Sequence, residues 1–530
     1  MRNAEEHKKL LEQIAALERN SVNYFDVEKE FFLIDSDNLS RVQPRFYGYS
    51  IQADGIYEED NLTEAAVAGL DGRGCYVYVE VKDGQITIKQ DLNGCWGIYL
   101  FRHGDYFALS NSFFRLVDYI KFRYPLTVNR DYCHYLMVDF VAVQSYSATA
   151  VNEIQIIDRS IVIHIDTKKK SLELEMIDNK EHSVPLDSAE GVAIMDRWVE
   201  FWGNVLRGVA QHTKFLQADL TGGFDTRINF VPLLHSGIDL NGIQVYSIKN
   251  DLNPTFKEDY DIASEIAEHY GFKLNQQLPA RPAFNYSLED VWNSNVHCKQ
   301  TFSNLAKFPR EQAVDKMYRY VGVSSEVFRK TWHMSPQKFI DAQCARTKKR
   351  YSVSLSQKLA KSMQAIIESV FRSVRDKYHI ADPNSVDIPQ YLYHDTRSRT
   401  HCGKATATDY LRNTLNIVPA YDREMQTLQL KTSRCPDYNL LMVLLFTRYA
   451  PDLLKIRFDK FHEPPDLENL IPYAKEINER FPICHKKTDN LNGGGRNKSF
   501  IYSRVTYKPR KSSLKVKITQ TFSAICQGLT

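Results

Sequence analysis

Residues 215–227 read FLQADLTGGFDTR, and the residue types and spacing in this stretch suit the handling of phosphate. The apolar run of Phe215, Leu216 and Leu220 predicts a strand. Gly222 and Gly223 then permit backbone angles closed to other residues, and a mostly apolar segment begins a helix. A strand, a glycine turn and a helix start can aim successive N–H groups into one concavity, where the helix dipole adds partial positive charge. The backbone from Leu220 through Thr221, Gly222, Gly223 and Phe224 to Thr226 is therefore a candidate anion nest, with the Thr226 hydroxyl as a further donor. An acid in such a nest is contradictory until a divalent cation is added. Mg²⁺ bridges a carboxylate and phosphate oxygens, and Asp225 is placed to hold it. No G-x-x-x-x-G-K-S/T occurs in the chain, so a Walker-type loop is the poorer fit.

The elements around this loop read as a parallel sheet. A buried strand over 243–248 follows after a short helix, and a second helix over 260–270 is closed by Gly271. Ser247 and Ile248 fall at the C-terminal end of that strand, where such sheets bind ligands. Pro232 costs about 3 kcal/mol in a helix interior and predicts a short or kinked first helix. Upstream, a helix over 191–211 carries Ile194, Trp198, Trp202, Val205 and Val209 on one face, which marks it as core. Long helices are also predicted over 348–378 and 439–448.

From Phe31 to Asp166 the period changes to that of short strands: 75–81, 85–90, 97–101, 106–112 and 159–166. Turns at Lys82-Asp83-Gly84 and His103-Gly104-Asp105 argue for antiparallel hairpins. Residues 1–22 repeat Leu10, Leu11, Ile14 and Leu17 at helical spacing and read as a surface helix. Beyond Ile483 the chain is basic, with Gly493–Gly495 and the acid Asp489, and reads as a solvated tail.

A chain of 530 residues accommodates about two to four domains. With 68 basic and 65 acidic side chains, the balance argues against a nucleic-acid partner. The nine cysteines include no C-x-x-C pair and read as reduced thiols, which suits a cytoplasmic protein. No run approaches the ~20 apolar residues of a membrane span.

The segment LTGGFDTR resembles the SGGxDS pyrophosphate loop of the N-type ATP pyrophosphatases, in particular the synthetase domain of asparagine synthetase. The run Asp91…Gly94…Gly97-Ile98-Tyr99, followed by Phe107–Ser112, resembles the back half of that family's glutaminase domain. The resemblance implies an α/β protein with an α+β N-terminal domain. An Ntn-like αββα sandwich over 23–178 would precede a parallel-sheet ATP pyrophosphatase domain over 188–482, flanked by the helix of 1–22 and the basic tail of 483–530. Family members use a cysteine at the mature N-terminus as nucleophile. Here the first cysteine is Cys75, inside a predicted strand, so no glutaminase activity is expected.

Residues 318–328, YRYVGVSSEVF, resemble the family's GEGSDE segment across the pyrophosphate. Ser325 replaces the metal-holding aspartate and Gly322 a glutamate. Glu326-Val-Phe-Arg329 is closer to the GGE-I/V-F-R of relatives in surface-polysaccharide gene sets, and Glu326 would supply the second carboxylate to Mg²⁺. Residues 391–422, with Arg397, Arg399, His401, Pro419 and Asp422, resemble the region lining the acyl pocket. Lys460, then Lys455, is in place for the family's pyrophosphate lysine.

The resemblance thus implies ATP and Mg²⁺ and a ligase that adenylates a carboxylate, releases pyrophosphate and passes the acyl group to an amine or ammonia. Asp225, Glu326 and Lys460 would serve the reaction, and the loop, Ser247, Ile248 and Gly322 would hold the nucleotide. A metabolite or glycan carboxylate and an amine would be the partners, and a homodimer is left open. Peptide or lactam closure, as in lasso-peptide cyclases and β-lactam synthetase, and an inactive scaffold are the alternatives.

Overall fold

Apolar residues facing both ways from short strands govern the first half of the chain. The structure, a computed structural model, describes residues 30–133, 147–177, 183–278, 283–285, 311–313, 316–328, 332, 334–350, 352–411, 413–435, 437–459, 466–483 and 500–502. The predicted helix of 1–22 lies outside them. Ten strands come first: Leu33–Asp35 (β1), Arg45–Gln52 (β2), Gly55–Glu58 (β3), Gly74–Lys82 (β4), Gln85–Gln90 (β5), Tyr99–His103 (β6), Tyr106–Ser110 (β7), Ile154–Ile156 (β8), Ile161–Asp166 (β9) and Ser171–Met176 (β10). They form two antiparallel sheets, ordered β10-β9-β5-β4-β2-β3 and β1-β7-β6-β8. The β4–β5 turn needs left-handed backbone at Asp83 (φ 51) and Gly84 (φ 78), which these two residue types tolerate.

Alternation sorts the smaller sheet between two cores. Leu100, Phe107 and Leu109 join Val77, Val79, Ile86, Ile88 and Ile163 of the larger sheet. Tyr99, Phe101 and Ala108 point the other way, onto Phe113, Leu116, Val117 and Ile120 of the helix Phe113–Ile120.

The second half begins with Val184–Pro185 (β11) and the helix Ala189–His212, capped by Ser188 and carrying the expected Trp198 and Trp202 face into the core. Then come Leu216–Asp219 (β12), Gln244–Tyr246 (β13), Ala283–Asn285 (β14), Glu311–Ala313 (β15), Met317–Tyr320 (β16), Thr414–Ile417 (β17) and Leu428–Gln429 (β18). A four-stranded sheet, ordered β13-β12-β16-β17, is parallel throughout. Two strand pairs, β14–β15 and β11–β18, stand apart from it. The chain is thus a mixed α/β protein with antiparallel and parallel sheets. The helix Phe224–His235 spans 12 residues and carries Pro232 within its last turn, so the proline does not end it.

Two expectations change. The predicted helix over 348–378 is two helices, Pro336–Arg350 and Val353–Lys377, packed around Phe339, Met363, Ile367 and Phe371. Ser352 stands at the N-terminal end of the second without a side-chain capping bond, as serine favours helix ends over interiors. Within the basic tail, Phe500–Tyr502 is docked rather than solvated. Phe500 is buried against Gly208, and Ile501 exchanges backbone bonds with Asp54 (2.9 Å) and Ile56 (2.8 Å).

The two halves share one continuous apolar core and are tied by buried charge. Lys377 Nζ lies 2.9 Å from both Asp158 and Asp395, Arg159 Nε is 3.1 Å from Asp395, and the Tyr378 hydroxyl donates to the same oxygen at 2.8 Å. Burial alone would raise the Asp158 carboxyl, but Lys377 and Arg399 outweigh it and hold it well below the usual carboxylate range. Such a group stabilises the fold above its unfolded pKa and loses that contribution as pH falls through its folded value. Lys377→Met is expected to cost about 3–5 kcal/mol at neutral pH, by removing the cation shared by two buried carboxylates. Urea unfolding at pH 7 measures the loss, which should shrink as pH falls below about 4 toward the lowered value of Asp158.

Candidate functional site

The parallel sheet reverses its winding between β12 and β16, since the second strand in sequence lies on one side of the first and the third and fourth on the other. Loops leaving the carboxyl ends of strands at such a point border a crevice. Here those loops are residues 220–223 and 321–324. They touch: a Cβ on Gly322 would lie 2.9 Å from the Thr226 methyl. From the helix Phe224–His235, Asn229 donates to Val321 O (3.2 Å) and to the Ser325 hydroxyl (2.9 Å).

The donors of the first loop are accounted for one by one. Leu220 N–H completes the ladder to Tyr246 O at 2.8 Å. Thr221 N–H goes to the Thr226 hydroxyl (2.9 Å), Gly222 N–H to the Asp259 carboxylate (3.0 Å) and Gly223 N–H to the Thr221 hydroxyl (3.2 Å). Neither glycine has a positive φ, contrary to the expected reason for them. Space is the reason: a Cβ on Gly222 would come within 2.7 Å of Ile262 and 3.2 Å of Asp259, and one on Gly223 within 3.1 Å of Asp459. Gly223 offers the helix no side-chain cap, and Asp225 sits in the first turn, where its charge suits the helix dipole. The Thr226 hydroxyl, expected to face a ligand, is folded back on Thr221.

Arg227, fully buried, carries the loop's neighbour into place. Its guanidinium donates to the carbonyls of Leu453 (3.3 Å), Ile456 (3.0 Å) and Arg457, and lies 4.1 Å from the Phe458 ring centre. Burial draws its pKa down to about 10, which leaves it cationic at neutral pH. Phe458 stacks on Phe224 at 4.9 Å, so Asp459 arrives beside Gly223. Lys460, next in sequence, lies outside the described residues. Lys455 is exposed and paired with Asp452 at 2.6 Å.

Other expected residues divide. Ser247 has both backbone groups held by the Asn275 side chain, each at 2.9 Å, while Ile248 is exposed. Ser325 is a buried core hydroxyl bonded to Asn229, so its position supplies no carboxylate and faces no crevice. Glu326 lies in the short 3₁₀ turn Ser325–Phe328, and its side chain is outside the description. The residues expected to line an acyl pocket are used elsewhere. Arg399 is fully buried and donates to Ile157 O at 3.0 Å, and Asp422 pairs with Arg73 at 2.8 Å. Both tie the antiparallel half to the second half, because an unpaired charge could not stay buried there.

Sequence reasoning missed Asp259, Asp459 and the task of Arg227, because a lone acid in a charged helix looks like any solvated one. It also missed a buried cluster of Cys75, Asp91 and Cys95, whose ligating atoms lie within 4.8 Å of one another. Asp91 there already accepts backbone N–H groups from Tyr76, Asn93 and Cys95, and burial pushes both thiols up, so the group reads as a core staple. Among the described residues Asp225 belongs to no such cluster.

No protein-family model matches the sequence, and no curated protein does. Among solved structures, glutamine phosphoribosylpyrophosphate (PRPP) amidotransferase from B. subtilis, complexed with ADP and GMP, is similar at 9% identity and a TM-score of 0.14. The match covers 56% of this chain and 48% of that enzyme, so the chain spans about half its length. A superposition this loose carries no argument about fold or chemistry.

Arg227→Leu is expected to leave the carbonyls of Leu453, Ile456 and Arg457 unpaired, at about 1–3 kcal/mol for a buried group that loses its partner. Hydrogen exchange should show faster exchange confined first to the 451–459 segment, with a lowered Tm.

Proposed function

We propose that the chain is an ATP-dependent amide-bond synthase of the asparagine synthetase type, with an Ntn-like sandwich that has lost glutaminase chemistry and a pyrophosphatase-type parallel sheet. One observation carries the reading: the glycine loop Leu220–Thr226 borders the crevice where the parallel sheet reverses, with Gly322 of the second marker against it. The Cys75 thiol supports the loss of glutaminase chemistry, because it is fully buried in β4 and raised by burial.

A carboxylate is a poor electrophile at neutral pH. Attack by its oxygen on the α-phosphate of ATP forms an acyl-adenylate and releases pyrophosphate, and an amine then displaces AMP to leave the amide. The loop's part is to hold the departing pyrophosphate on backbone N–H groups and the start of the helix Phe224–His235. Asp225 would hold Mg²⁺, which supplies charge neutralisation at the phosphates, with Glu326 as second carboxylate and Lys460 closing the far side. The approach of Asp459 to Gly223 supports the last assignment, because it brings the chain next to Lys460 to the loop. The acyl substrate is a small-molecule or glycan carboxylate. Peptide or lactam closure by the same loop remains the sister activity.

A second reading, an inactive scaffold, is favoured by one observation: Ser325 is buried where the family holds a metal-binding aspartate. Release of AMP from ATP with a panel of uronic acids and amines separates the two, since a scaffold releases none with any pair. Asp225→Asn is expected to keep the fold and the wild-type melting curve while carboxylate-dependent exchange of pyrophosphate into ATP disappears. Full exchange in that variant would refute the assignment.

A further inference from the structure

Two glycines far apart in the chain are kept small by the same short segment. Gly208 lies inside the helix Ala189–His212, where glycine is a poor helix former, and a Cβ there would come within 2.3 to 2.5 Å of three ring atoms of Phe500. Gly55 opens β3, the edge strand of the six-stranded sheet. A Cβ there would come within 2.5 Å of Ile501 O and 2.8 Å of Ile501 Cβ. Neither glycine has a positive φ, so close approach is what each position requires. The sheet edge and the helix are thus two walls of one seat.

The segment in the seat is held as an extended strand is, with alternate residues facing alternate ways. Ile501 pairs in parallel with Gly55: its N–H donates to Asp54 O at 2.9 Å, and its O accepts the Ile56 N–H at 2.8 Å. This adds a short strand to a free sheet edge, a mode in which main-chain bonds give affinity and flanking side chains give specificity. Phe500 and Tyr502, two apart, both meet His212 at the end of the helix. The buried Phe500 ring stacks on the imidazole at 5.8 Å, and the Tyr502 ring lies 4.8 Å from it. His212 is itself oriented by its Nδ1, 2.7 Å from Gly208 O. Ile501, between the two rings, is exposed. The seat therefore reads backbone at the middle residue and an aromatic ring on either side.

We propose that this notch between the β3 edge and the helix Ala189–His212 is a peptide-binding site for an extended aromatic-x-aromatic segment. Phe500–Tyr502 is its resident ligand, held in cis because the chain keeps its local concentration high, and exchangeable with the same sequence supplied in trans. The seat shares no residue with the glycine loop.

Fluorescence anisotropy of a labelled peptide with the sequence of residues 497–505, titrated with the full chain, tests the proposal. Phe500→Ala vacates the seat and should bind the peptide at least about tenfold more tightly than wild type, whose seat is filled. Adding Gly208→Ala places a Cβ where the peptide's ring must go, and should return the affinity to the wild-type level or below, although alanine is the better helix former. A Phe500→Ala chain that binds no more tightly than wild type, or whose affinity survives Gly208→Ala, would overturn the proposal. Ile501→Pro removes the N–H donated to Asp54 and leaves the ring in place, so it vacates the seat by a second route should loss of the Phe500 ring unfold the chain. It should gain affinity for the peptide in the same way, and no gain would count equally against the site. Amide exchange at Ile56 reads occupancy without a label: it should quicken in the vacated variant and slow again when peptide is added. Exchange at the wild-type rate in that variant would show that Phe500 does not hold the segment in the notch.

Discussion

Backbone N–H groups that leave the end of a parallel strand have no ladder left to join, and each must find an acceptor or pay the cost of an unpaired donor. That constraint shapes the centre of this protein. Leu220 takes the last rung from Tyr246, and the next three donors are met by two threonine hydroxyls and one carboxylate. Small residues at 222 and 223 follow from it, because Ile262, Asp259 and Asp459 must come close enough to serve or surround those groups.

The same economy explains why the antiparallel half persists beside a parallel sheet. Its strands give the second half an apolar partner: Tyr410 meets Trp96 edge-on and Tyr49 at a tilt, and the Tyr49 hydroxyl donates to Asn416 O at 2.6 Å. Asn93, in the turn after β5, donates to Ser398 O at 2.9 Å. Arg399, Lys377 and Asp422, which look like binding groups in isolation, are consumed in holding the halves together.

Much of the secondary structure could be read from the chain. The hairpin at Asp83-Gly84 and the helix behind Trp198 and Trp202 each follow from local propensity and period. The site could be read in part. Its glycines and acid stood out, although the glycines serve close approach and have ordinary backbone angles. Asp259 and Asp459 did not stand out, since 34 and 234 residues separate them from Asp225 and nothing local marks either one.

Residue order alone was enough to specify strands, helices and the glycine turn, because each depends on neighbours within a few positions. Which charges remain at the crevice was settled by packing. Arg227 reaches across more than two hundred residues to the carbonyls of 453–457 and swings Asp459 to the loop, while Ser325 turns inward to Asn229. Contacts of that range depend on how helices lie against the sheet, and no window of sequence contains both partners.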